Sequence, residues 1–95
     1  MMNSKEIEYD NRGLMTWSYF FEHRIMPNAK LVDAYDIAIL KSIHTRWTPI
    51  VPVVNTDAIT DDVCAEVGFI TEEELARRTV KLESIGLCRR MIGLW

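Results

Sequence analysis

The chain has 95 residues and a mass of 11.0 kDa, enough for one hydrophobic core and too few for two. Hydrophobic residues at 48% and charged residues at 26% exclude a disordered chain. A net charge of -3 excludes a polycationic, tail-driven nucleic-acid binder but leaves room for a local basic face.

The opening MMNSKEIEYDNR lacks an apolar h-region and does not read as a signal peptide. Residues 1–13 read as a polar, mobile lead-in ending at Gly13. The apolar stretch 14–26 carries Glu22, His23 and Arg24 and falls short of the ~20 residues of a membrane span. The expectation is a cytoplasmic protein with reduced thiols and no membrane contact. Within this stretch, 16–26 predicts a short helix, capped by Thr16, with Trp17, Phe21 and Ile25 on one face. A helix this short cannot turn Tyr19, Phe20 and Phe21 all inward, so spare aromatic surface is expected there. Pro27-Asn28 ends it, dividing a lead-in and aromatic arm (1–27) from a main domain (28–95).

The longest predicted helix spans 29–47. Asn28 is its candidate N-cap, and Val32, Tyr35, Ile39, Ile43 and Trp47 follow helical spacing. Pro49 and Pro52 exclude helix from 48–58, and Ile50, Val51, Val53 and Val54 favour an extended edge segment at 50–54. A short helix follows at 60–67, with Thr60 as cap, Asp61 and Asp62 in its first turn and Gly68 after it. Thr71 and Glu74 form a TxxE capping box for a last helix over 72–85, which stops at Gly86. Residues 87–92 predict a strand or short ribbon. The expected core is Ile39, Ile43, Val63, Val67, Leu75, Leu82 and Leu87.

The fold class expected is therefore mainly α with a small β component. The stretch ITDDVCAEVGFITEEELARRTVKLESIGLCRR holds two capped helices about a glycine turn, closed by Leu82, Ile85, Gly86, Leu87 and two arginines. It resembles the winged helix–turn–helix family, in particular small phage and plasmid regulators and the N-terminal domains of replication proteins. The likeness covers about residues 28–92, with a minimal or truncated wing. It implies a small DNA-binding protein, a transcription regulator or replication-associated factor, reading duplex DNA with the 72–85 helix.

On that helix Leu75, Thr79 and Leu82 are expected to face inward, and Glu73, Arg77, Val80, Lys81 and Ser84 outward. Arg77 is the candidate base-edge contact, since guanidinium can bond guanine bidentately. Arg78, Lys81, Arg89 and Arg90 would meet phosphates, with Ser84 beside them. The charge pattern cuts against this reading. Between Asp57 and Glu74 there are seven acidic residues and no basic one; between Arg77 and Arg90 there are five basic residues against Glu83 alone. The same cations could equally pair along their own helix, Glu73 with Arg77 and Glu74 with Arg78. The alternative is a winged-helix protein-interaction module without DNA binding, using Trp17, Phe20, Phe21, Val80 and Trp95. A homodimer through the aromatic arm or the C-terminal tail fits either reading.

Nothing in the sequence points to an enzyme or a cofactor. There is no phosphate loop, GxSxG or HExxH. Asp61, Asp62 and Glu66 read as cap acids and a solvated glutamate more readily than as a metal cluster. His23 and His44 read as structural or exposed. Cys64, on the inward side of its helix, and Cys88 read as buried or half-buried free thiols.

Overall fold

A computed structural model describes residues 6–51 and 53–89. Four helices carry it: α1 (Trp17–Phe20), α2 (Ala34–Arg46), α3 (Thr56–Glu66) and α4 (Glu72–Ser84). α1 runs on through a π-helical turn, Phe21–Ile25, and a 3-10 turn, Met26–Asn28. The mainly helical class expected is present. Among the described residues the only strand-type pairing is an isolated antiparallel bridge between Tyr9 and Met15. Residues 50 and 51 lie in an exposed bend, and Val53–Asn55 carry no strand pairing. The 50–54 strand is therefore not formed; prolines at 49 and 52 remove the backbone donors a ladder needs. Leu87, Cys88 and Arg89 are likewise unpaired, and the rest of the 87–92 strand lies outside the described residues.

Two helix starts differ from expectation, each for a capping reason. α2 begins five residues late because Asp33, not Asn28, is its N-cap. The Asp33 carboxylate accepts from the Asp36 N–H at 3.1 Å, and the Asp36 carboxylate accepts from the Asp33 N–H at 3.1 Å. Two of the orphan donors of the first turn are satisfied by this reciprocal box. Asn28 instead closes the preceding turn, donating from Nδ2 to the Arg24 carbonyl. α3 begins early because Asn55 caps it, its side chain accepting from the Asp57 N–H at 2.7 Å. Thr60, the expected cap, sits mid-helix and returns its hydroxyl to the Thr56 carbonyl.

α4 keeps its expected bounds to within a residue, but the TxxE capping box is only half formed, because the Glu74 carboxylate turns to Arg77 and Arg78. Thr71 accepts from the Glu74 N–H at 3.0 Å. At the other end Gly86 adopts φ +81, the left-handed geometry that disfavours a Cβ. Gly86 N–H donates to the Glu83 carbonyl and Leu87 N–H to the Leu82 carbonyl, a Schellman closure that brings the buried Leu82 and Leu87 together.

α2 is the hub, packing against both α3 and α4. The core joins Ile25, Ala38, Ile39, Leu40, Val54, Ile59, Val63, Ile70, Leu75, Leu82 and Leu87. Ile43 is half-buried against it, whereas Val67, expected inside, is exposed at the end of α3. Trp17, Phe20 and Phe21 are half-buried and packed on the core, so the aromatic surface expected of the arm is reduced to their part-exposed edges and that of Tyr19. The π turn contributes: an i→i−5 turn takes up one extra residue and shifts the helical register behind it.

The lead-in is pinned at residues 9–15. Arg12 pairs with Asp10 and donates Nη1 to the carbonyls of His44 at 2.6 Å and Trp47 at 2.8 Å. A cation is thereby placed on the open carbonyls and negative dipole end of α2. His44 Nε2 donates to the Met15 carbonyl at 2.7 Å, which fixes its tautomer. Among the described residues no helix is long and apolar enough to cross a membrane.

Candidate functional site

The surface singled out by the sequence is the outer face of α4 with the turn before it. Gly68 starts that turn, and a Cβ there would stand 3.0 Å from the Tyr35 hydroxyl. The same hydroxyl donates to the Phe69 carbonyl, fastening the turn to α2. Phe69 is left 80% exposed and Ile70 is buried.

Along α4 the cations divide into two sets. Arg77 is on the surface, its side chain 72% exposed, and it pairs with Glu74 rather than with the expected Glu73. Arg78 and Lys81 turn the other way. Arg78, with a side chain only 17% exposed, donates to Asp33 at 2.8 Å, Asp36 at 3.1 Å and Glu74 at 2.8 Å, and its guanidinium lies 5.2 Å from the Tyr35 ring centroid. Lys81 Nζ stands 2.5 Å from the Asp36 carboxylate, which is wholly buried. Two of the four residues expected to meet phosphates are thus paired with acids of α2, although the Lys81 side chain stays 41% exposed.

The charge balance explains why. Asp36 completes the capping box and is buried in doing so, and a buried carboxylate is costly unless cations and donors satisfy it. Arg78 and Lys81 are those cations. Burial pushes the Asp33 carboxyl up, yet the Asp36 backbone N–H and the Arg78 guanidinium hold it below the ordinary aspartate range. The signal was in the sequence. Leu75, Arg78 and Leu82 recur at i, i+3 and i+7, which sets Arg78 inside the buried stripe rather than outside it. An arginine in such a stripe needs an acid on the facing helix.

Of the remaining candidates, Ser84 returns its hydroxyl to the Lys81 carbonyl and Arg89 is exposed. Val80 is 65% exposed, as expected of an outward position. Arg90 and Trp95 lie outside the described residues. The outward face of α4 therefore carries Glu73, Ala76, Arg77 and Val80, with exposed Glu72 at its start and Phe69 just before it. α3 adds exposed Asp57 and Asp61.

The other acids have partners. Asp62 accepts from Arg46 through both oxygens and from Ser42 at 2.6 Å, contacts that hold its carboxyl at about 2. Glu66 pairs with Lys41. Among the described residues no group of three potential ligands could hold a metal ion. His23 stacks on Tyr19 at 4.1 Å. Cys64 is exposed, contrary to expectation, because it follows Val63 on a helix that turns Ile59 and Val63 inward. Cys88 is half-buried, and burial pushes its thiol up to about 11.

Comparison of the chain with family models, with curated proteins and with solved structures returns no match.

Proposed function

We propose that this chain is a helix–turn–helix module, of the winged type its sequence resembles, that works by binding protein through the outer face of α4 and the α3–α4 turn. One observation carries the reading: Arg78 and Lys81, the cations that a DNA-reading α4 would spend on phosphates, are spent on the buried Asp36. What remains outside is apolar and acidic: Phe69, Ala76 and Val80, with Glu72, Glu73, Asp57 and Asp61 around them and Arg77 tied to Glu74. A phosphate backbone is repelled by such a surface, while a basic amphipathic peptide matches it in both charge and apolarity. The partner class is therefore a protein segment with an apolar stripe flanked by lysine or arginine.

The test uses a Lys/Leu amphipathic model helix as probe, with a Glu/Leu helix as control. The reading predicts saturable amide-shift changes centred on Phe69, Ala76 and Val80 with the basic helix alone, lost in Val80→Asp. Equal response to both helices, or shifts confined to other surfaces, would overturn it.

A second reading, duplex DNA recognition by α4, is favoured by the exposed Arg77 on α4 and the exposed Arg89 just after its Gly86 closure. It predicts a salt-dependent gel shift weakened by Arg77→Ala and Arg89→Ala. A homodimer remains compatible with both readings, and sedimentation reads it directly.

A further inference from the structure

Away from α4's outer face, the end of α2, the lead-in, α1 and the α4 exit line a half-open cavity of about 510 Å³. That is within the size range of small-molecule pockets. Its walls are mainly apolar, with Leu14, Phe20, Leu40, Ile43, Trp47 and Leu87 among them. Two features mark it as more than a packing gap. Arg24 and Arg89 both line it and none of its lining residues is acidic, in a chain whose net charge is -3. Arg24 donates only to the Gly86 carbonyl, at 2.9 Å, and neither arginine forms an ion pair among the described residues. The second feature is Trp47, which lines the cavity and whose indole Nε1, sealed from solvent, has no hydrogen-bond partner among the described residues.

The geometry points to a binding site for a small carboxylate with an apolar body, its carboxylate met by Arg24 and Arg89 and the apolar part seated against Leu14, Leu40 and Leu87. Guanidinium groups suit a carboxylate in shape and charge, and an apolar wall suits an aliphatic or aromatic body. Because Gly86, Leu87 and Arg89 line the cavity, an occupant would touch the closure of α4 and could bias its last turn. This inference does not depend on what α4 itself binds.

The experiment titrates the full chain with decanoate, with 2-naphthoate and with neutral decanol, following the Trp47 indole N–H resonance assigned by Trp47→Phe. The expected result is saturable binding of at least one acid, weakened about tenfold or more in Arg24→Gln and in Arg89→Gln, the loss of one charge-assisted contact. Decanol should bind alike in all three proteins. A stronger response to decanoate assigns an aliphatic body, and a stronger response to naphthoate an aromatic one. Arg89→Gln alters an exposed side chain, so folding does not confound it. No saturation with either acid up to a few millimolar would overturn the proposal. Acid affinities unchanged in both arginine variants would do the same.

Discussion

Lys81 Nζ on α4 lies 2.5 Å from the Oδ2 of Asp36 on α2, and that carboxylate has no exposure to solvent. The pair, extended by Arg78 on the other oxygen, ties the cap of one helix to the last turns of another. It also neutralises two positive charges on the helix a helix–turn–helix protein would use, burying Arg78 and leaving Lys81 part-exposed.

Breaking this pair should show up in stability. Asp36→Ala strands Arg78 and Lys81 and should cost about 3 kcal/mol or more, the lower end for breaking a buried pair because Arg78 keeps Asp33 and Glu74. Lys81→Met leaves Asp36 with Arg78 and should cost about 1–2 kcal/mol. Because the residues touch, the double variant Asp36→Ala/Lys81→Met should cost less than the sum of its single changes. Urea unfolding of the four proteins measures this; strict additivity would show that the two residues do not interact in solution.

The core is checked by two truncations. Leu82→Ala removes a fully buried side chain and should cost about 2–5 kcal/mol. Val67→Ala, at an exposed position, should stay within about 0.5 kcal/mol. Equal effects would mean that the buried face of α3 or α4 has been misassigned.

Much of this arrangement was legible because it is locally encoded. Thr71 and Gly86 bracket α4 through bonds that span only a few residues, and the alternation of buried and exposed positions between them follows from 3.6 residues per turn. The misreadings arose where local signals compete or are silent. Asn28 and Asp33 are both good caps, and the choice fell to the Asp36 carboxylate returning to the Asp33 N–H. Asn55 and Thr60 present the same ambiguity. The inward turn of Lys81 depends on a partner 45 positions earlier, which no periodicity within α4 reveals. Arg12, whose guanidinium closes α2 from the lead-in, looked like one charge in a polar run.

Stability should fall in acid through Asp62. Its folded pKa, about 2, lies below the ordinary aspartate value of about 4, so its contribution is complete above about pH 4 and is lost as pH falls toward 2. The pair is part-exposed, and with solvent screening the contribution is about 1 kcal/mol. Asp10, Asp33 and Glu74 are shifted the same way and add to the same limb. Asp62→Asn should lower the melting temperature at pH 7 and match the parent protein near pH 2. A constant difference across that range would reject the linkage.

The thiols should separate kinetically. Cys64 is exposed and should react with a disulfide reagent at pH 8 in the folded protein. Cys88, held at about 11 by burial, should react only after unfolding. Two equally fast thiols would contradict the packing of the α4 exit.

The most direct test of the central claim, that Asp36 holds α4's inner cations away from ligands and leaves a protein-binding face, is duplex binding against salt. A labelled random duplex is titrated with the chain at about 50 mM salt, where phosphate-driven binding is strong. The account predicts no saturable shift over roughly 1–100 µM, the range in which non-specific DNA binders associate. Saturable binding whose log K falls with log salt, with a slope that loses about one unit in Lys81→Ala, would contradict it by placing that lysine on phosphate instead of on Asp36.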